Sequence, residues 1–217
     1  MKLDPIKAKV LCAKIIPNVN DYMHESFKLS PEQRSLGLLT SDIDDVAYTA
    51  LDEATKKADV KVVYARSMYA GSANASTKFA GEFIGIIAGP NPAEIRSGLD
   101  AAMEFVENSA CFYSANDEDS VPFYAQTISR TGSYLSEIAN IPEGDPIAYL
   151  IAPPLEAMYG LDAALKAADV KLAAFYGPPS ETNFGGGLLT GSQSACKAAC
   201  DAFREAVIYV ANSPLDI

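Results

Sequence analysis

The chain has 217 residues, 49% apolar and 21% charged, a balance that specifies a folded protein and excludes a disordered one. Its net charge of −11 repels phosphate backbones, which excludes nucleic acid as a partner. The longest apolar stretches, such as Phe83 to Gly89, fall well short of the roughly 18 residues of a membrane span, and Asp4, Lys7, Lys9 and Lys14 interrupt the start, so a soluble, cytoplasmic protein is expected.

In chain order, Lys9 to Ile16 predicts a strand with apolar residues on both faces. Ser41 to Ala58 predicts a helix, because Val46, Ala50, Leu51, Ala54 and Ala58 recur three or four apart. Ser41 is its expected N-cap, with Asp44 in the capping-box position three residues on. Val60 to Ala65 and Gly81 to Ala88 predict strands. Asn91-Pro92 then opens a helix with an apolar stripe of Ile95, Leu99, Ala102, Phe105 and Val106. The polar run Ser114 to Ser120 reads as a linker. Beyond it, Pro122 to Ser129 predicts a strand, Pro154 to Ala167 a helix, Val170 to Phe175 and Gly187 to Thr190 strands, and Ser192 to Asn212 a closing helix.

One segment occurs twice. Leu51-Asp52-Glu53-Ala54 through Val62 returns as Leu161-Asp162-Ala163-Ala164 through Leu172, 110 residues later. A self-match at half the chain length predicts two copies of one domain, residues 1–113 and 120–217, each an α/β sandwich of sheet and helices. Two long loops sit at equivalent places after the repeated strand, Ser67 to Lys78 and Tyr176 to Gly186, and loops of that length are commonly functional.

Asp42, Asp44, Asp45 and Glu82 are the acids that stand out. Asp44 and Asp45 suit the positive end of their helix, a preference of about 0.3–1 kcal/mol. Together with Glu82 they also form a weak metal candidate for a hard cation or zinc, and would serve a metal-dependent hydrolase or lyase. A soluble small-molecule sensor is a further alternative. Cys196 and Cys200 share a helix face but lack the further ligands that zinc needs, and with Cys12 and Cys111 they read as thiols. His24 is the single histidine, so any Cys–His pair or Ser–His triad would rest on it. Gly185-Gly186-Gly187 lacks the Lys-Ser or Lys-Thr of a phosphate loop and reads as a flexible hinge.

Several strings together resemble one family nearly end to end. They include Arg34-Ser35-Leu36-Gly37, Asp44-Asp45-Val46, Tyr69-Ala70-Gly71, Gly89-Pro90-Asn91-Pro92-Ala93-Glu94, Ser129-Arg130-Thr131-Gly132-Ser133-Tyr134-Leu135, Ala152-Pro153-Pro154-Leu155-Glu156-Ala157 and Pro178-Pro179-Ser180-Glu181-Thr182-Asn183. They are similar to the L-type shell proteins of the ethanolamine-utilization bacterial microcompartment. The resemblance implies a structural protein, not an enzyme, made of two tandem, circularly permuted microcompartment domains. Three copies form a homotrimer, a flat pseudohexameric tile that sits among other microcompartment shell proteins. It implies a central pore gated by Tyr69, Ala70 and Gly71 with Glu181, Thr182, Asn183, Phe184 and Gly185. It also implies a small-pore ethanolamine site of Asp44, Asp45 and Glu82 with the backbone carbonyl of Phe112. No cofactor is required; cobalamin is a candidate passenger of the open gate. At the 110-residue offset Asp44 and Asp45 face Pro154 and Leu155, and Glu82 falls near Gly187, so one amine site per chain is expected.

Overall fold

A computed structural model describes residues 3–68, 76–118 and 120–216. By packing, the chain divides into two units. The N-terminal unit holds residues Ala8–Ala110 and Gly132–Leu135; the C-terminal unit holds residues 3–7, Cys111–Thr131 and the chain from Ser136 onward.

The N-terminal unit is built on strands β2 (Val10–Ile16), β3 (Ser35–Ser41), β4 (Lys61–Ser67) and β5 (Phe83–Gly89), antiparallel in the order β2-β3-β5-β4. Helices α2 (Asp44–Lys57) and α3 (Pro92–Asn108) cover one face, where the Gly37 position meets Ile95 and Leu99, and Gly85 meets Leu51. Alternation along each strand sends Leu36, Leu38, Ile86 and Ala88 to the opposite face. There they pack with Val19, Phe27 and Leu29, which flank the short helix α1 (Asp21–Ser26). Burial on both faces is why these strands read as apolar runs without clean alternation.

The C-terminal unit repeats the plan with β7 (Pro122–Ile128), β8 (Ile147–Ala152), β9 (Val170–Tyr176) and β10 (Gly185–Gly191), in the order β7-β8-β10-β9. Two short strands, β1 (Pro5–Ile6) and β6 (Phe112–Ser114), extend its β7 edge. Helices α5 (Pro154–Ala167) and α6 (Gln193–Asn212) close its core around Phe123, Leu150, Leu161 and Phe203. Helix α4 (Ser133–Ala139) lies between β7 and β8 in the chain, as α1 lies between β2 and β3.

Each copy therefore runs β-α-β-α-β-β-α with the same strand order. The equivalence reaches single residues: Lys28 and Asn140, each just past the first helix of its copy, both take the left-handed conformation with φ of 52° and 51°. Helices α2 and α5 are both 14 residues long and start 110 apart. The hairpins that follow are not spaced alike. Between β4 and β5 lie residues 68–82, between β9 and β10 only 177–184, so the offset shrinks from 110 to 102 by the last strand pair.

Several expectations need correction. Ser41 does not cap α2; it is the last residue of β3, paired with Phe83 and Val10, and the helix begins at Asp44 behind Ile43 without a side-chain cap. The polar run from Ser114 is no linker but the turn of the β6–β7 hairpin, where Ser114 pairs with Pro122 and the Ser120 amide donates to Asn116 Oδ1 at 3.1 Å. Strands β3 and β8 and helices α1 and α4 had no predicted counterpart. By contrast Asn91 caps α3, accepting from the Ala93 and Glu94 amides at 2.9 and 3.0 Å, and Ser192 caps α6.

The repeated helix α2 binds the start of α4 through a buried carboxylate. Asp52 is fully buried. Its Oδ2 accepts from the Gly132 amide at 2.7 Å and its Oδ1 from the Leu135 amide at 2.8 Å, while Lys56 Nζ lies 3.3 Å away. Thr55 Oγ1 accepts from the Ser133 amide at 3.1 Å. A Cβ at Gly132 would lie 2.6 Å from the Asp52 carbonyl oxygen, so only glycine allows this approach. Asp52→Ala strands two buried amides, each worth about 1–3 kcal/mol. A loss of about 2–5 kcal/mol is expected by chemical denaturation; a loss below about 0.5 kcal/mol would contradict the assignment.

Candidate functional site

The acids singled out from the sequence gather at one end of the N-terminal sheet. Asp44 and Asp45 open α2 three residues after β3 ends, and Glu82 immediately precedes β5. The Glu82 amide donates to the Ser41 carbonyl at 2.9 Å and its carbonyl accepts from the Met68 amide at 2.8 Å, which ties it to both neighbouring strand ends. Asp42 is spent differently: its Oδ1 accepts from the Lys9 amide at 2.6 Å and holds the start of β2.

Asp44 and Asp45 are only 6% and 7% exposed, so they are not a solvated first-turn pair. Buried carboxylates require donors. Asp44 Oδ1 accepts from the Asp45 amide at 2.9 Å, and Oδ2 accepts from Ser67 Oγ at 2.7 Å. Ser67 has one hydroxyl proton, given to Asp44, so the Tyr48 hydroxyl at 2.9 Å donates to Ser67 in turn. The result is a directed chain, Tyr48 to Ser67 to Asp44. Burial, and then the charges of Asp44 and Asp45, push the Tyr48 phenol up to about 12 against the opposing pull of the Ser67 hydrogen bond. Its ring packs edge-on to Phe83 at 4.8 Å and stacks on Tyr134 at 6.4 Å. Tyr48 lies one turn after Asp44, a spacing visible in the sequence; Ser67 reaches the site only because β4 pairs with β5.

Phe112 belongs to the C-terminal unit, on β6. Its ring stacks on Tyr124 at 5.3 Å and meets Phe184 edge-on at 6.0 Å. Tyr124 continues to Tyr149 at 5.4 Å, and Tyr149 to Tyr176 at 6.5 Å, forming an aromatic row across that sheet. Phe184 precedes β10 as Glu82 precedes β5, so the counterpart of Glu82 is Phe184 rather than a residue near Gly187. The second copy carries proline, leucine and phenylalanine where the first carries three acids.

Of the expected gate residues, Tyr69, Ala70 and Gly71 lie outside the described residues. The loop from Gly177 to Phe184 is a tight turn: the Ser180 amide donates to the Phe184 carbonyl at 2.7 Å, the Phe184 amide to Ser180 Oγ at 3.3 Å, and Asn183 sits at φ 66°. Glu181 and Thr182 form its tip. Gly185, Gly186 and Gly187 are not a hinge but buried strand residues of β10, paired with Ala152, Ile151 and Leu150. A side chain at Gly186 would run into the Leu150 carbonyl, so this glycine serves close strand approach.

Among the described residues no three His, Cys, Asp or Glu side chains, Asp44, Asp45 and Glu82 included, are grouped as they would be around a metal ion. Cys196 and Cys200 are buried, with Cys200 accepting from Thr127 Oγ1 at 3.3 Å; burial pushes both thiols up, Cys200 to about 11. His24 Nε2 lies 3.0 Å from the Ser30 carbonyl.

The family model of the BMC domain matches residues 35–116. The chain is 65% identical to the bacterial microcompartment shell protein EutL of Clostridium perfringens over 99% of both chains. It is 55% identical to EutL of Escherichia coli, over 98% of this chain and 97% of that one. The solved ethanolamine utilization protein EutL of Leptotrichia buccalis superposes with a TM-score of 0.98 at 67% identity, covering all of both chains. Such identity over the full length, on a fold that repeats one α/β unit twice, makes this chain a member of the EutL family of bacterial microcompartment shell proteins, which are structural proteins and not enzymes.

Proposed function

We propose that three copies of this chain close into a flat pseudohexameric tile of the ethanolamine-utilization shell, alongside other shell proteins. The observation that carries this reading is the doubled β-α-β-α-β-β-α unit with one strand order. Two like units per chain give three chains six similar places around an axis. The BMC-domain match supports the permuted character of the first domain, since it starts at β3 and leaves β2 and α1 outside. At the tile centre we place a gated pore, its rim formed by the loops after β4 and β9: Tyr69, Ala70 and Gly71 from one, Glu181 to Phe184 from the other, with Gly185 anchoring that loop as the first residue of β10. When open it would pass molecules larger than the small pore admits, cobalamin among them.

Each chain, in this reading, carries one ethanolamine site at Asp44, Asp45 and Glu82, with the Phe112 carbonyl as a further acceptor. Two carboxylates about 4 Å apart repel by about 4 kcal/mol at an effective dielectric of 20. A primary ammonium between them relieves that repulsion and brings three donors. The second copy lacks those charges, which supports one site per chain rather than two. Ser67 donates to Asp44 and Tyr48 orients Ser67, which holds the Asp44 side chain in place.

Calorimetry tests the site. Asp44→Asn and Glu82→Gln each remove a charged acceptor and should weaken ethanolamine binding about tenfold or more. Unchanged affinity in both would remove the assignment. The Tyr48 phenol supplies a pH test. Its folded pKa lies above the unfolded value, so its stabilising effect is complete below about pH 10 and is lost as pH rises toward about 12. In an alkaline titration Tyr48→Phe should remove one phenol's share of the phenolate absorbance that appears near pH 12; an unchanged absorbance in that range would contradict the buried chain to Asp44.

A further inference from the structure

Helices α2 and α5 are counterparts residue for residue, yet one face of them is treated in opposite ways. On α2, Asp45, Thr49 and Asp52 are 7%, 0% and 0% exposed. On α5 their counterparts Leu155 and Tyr159 are 65% and 50% exposed, and the Asp162 side chain is 63% exposed. At Asp52, what covers α2 is the segment Gly132–Leu135, whose Gly132 and Leu135 amides bind the carboxylate and whose Tyr134 ring stacks on Tyr48.

That covering segment has its own counterpart in the first copy. Residues 20–23 stand before β3 as 132–135 stand before β8, with Tyr22 matching Tyr134, Met23 matching Leu135 and Glu25 matching Glu137. The turns that follow agree in hydrogen bonding as well: Leu29 donates to the His24 carbonyl as Ile141 donates to the Ser136 carbonyl, both near 3 Å. Tyr134 is stacked, but Tyr22 is 81% exposed. Among the described residues no side chain accepts from the Asn20, Asp21 or Met23 amides, the counterparts of the three that Asp52 and Thr55 bind.

We propose that the exposed face of α5 at Leu155, Tyr159 and Asp162 is the docking surface for the start of α1 in a second copy of this chain, a placement that rests on the trimer reading above. Asp162 accepts from the Asn20 and Met23 amides of the neighbour as Asp52 accepts from Gly132 and Leu135. The neighbour's Tyr22 ring lies on Met158, the counterpart of Tyr48. Lys166 pairs with Asp162 at 2.5 Å and does not compete, since Lys56 stays beside Asp52 while that carboxylate binds both amides. One element differs: Thr55 is replaced by Leu165, so the Asp21 amide loses its acceptor and gains an apolar neighbour instead. Donor segment and acceptor helix lie on different copies of the repeat, so the contact is head-to-tail and propagates until the ring closes.

Sedimentation of the full chain across a concentration range tests this, with Asp162→Lys, Tyr22→Ala and the conservative Asp162→Glu beside the parent protein. Both positions sit on the surface, so thermal unfolding of the isolated chain should barely move. The parent should be trimeric. Asp162→Lys and Tyr22→Ala should raise the concentration at which it dissociates roughly tenfold or more, with Asp162→Glu close to the parent. Met23→Cys combined with Asp162→Cys should give covalent oligomers under oxidation that neither single substitution gives. A parent trimer indifferent to all of these would overturn the contact and leave the tile standing. A parent that is monomeric at every concentration would instead overturn the tile reading, and the docking surface with it.

Discussion

A carboxylate sealed from water must find its donors inside the protein, and Asp52 finds them in the bare amides that open α4. Leaving such a charge unmatched would cost several kcal/mol, comparable with the whole stability of a domain. This requirement draws Gly132–Leu135, a piece of the second copy, into the N-terminal unit. It also explains why position 132 is glycine and why Thr55 and Lys56 stand beside Asp52. The same pair of charges recurs as Asp162 and Lys166, but on the surface. The motif is answered by backbone amides in the first copy and stands exposed in the second.

Duplication also separates tasks. In the first copy the end of the sheet beside α2 carries Asp44, Asp45 and Glu82, with Tyr48 and Ser67 ordering one carboxylate. In the second copy the matching positions are Pro154, Leu155 and Phe184, and Phe184 joins an aromatic row with Phe112 and Tyr124. A polar site and an apolar one occupy equivalent places because the fold tolerates either at the tips of its strands. Neither substitution touches the shared helix-on-sheet cores.

Much of the fold was legible in the sequence because the repeated helix and strand, Leu51 to Val62 and Leu161 to Leu172, keep their spacing and their apolar stripe. Asn91 announced its helix because capping is a local interaction. Strands β3 and β8 escaped because they are buried on both faces and show no alternation. Ser41 misled because it looks like a cap while the ladder to Phe83 claims it. Helices α1 and α4 are six and seven residues long, too short for a periodic signal, and only their aligned tyrosines betray them. At the site, the acids and their helix could be read directly. Ser67 could not, because its approach to Asp44 depends on a strand pairing that no local pattern encodes. The counterpart of Glu82 was misplaced because the two β-hairpins differ in loop length, which shifts the offset from 110 to 102.

Electron-microscope class averages of the purified full-length chain examine most directly the idea that doubled units let three subunits stand in six places. The account predicts flat discs of six lobes around a central opening or plug, with alternate lobes distinguishable at higher detail. Isolated two-lobed particles, or open chains of subunits that never close, would contradict it.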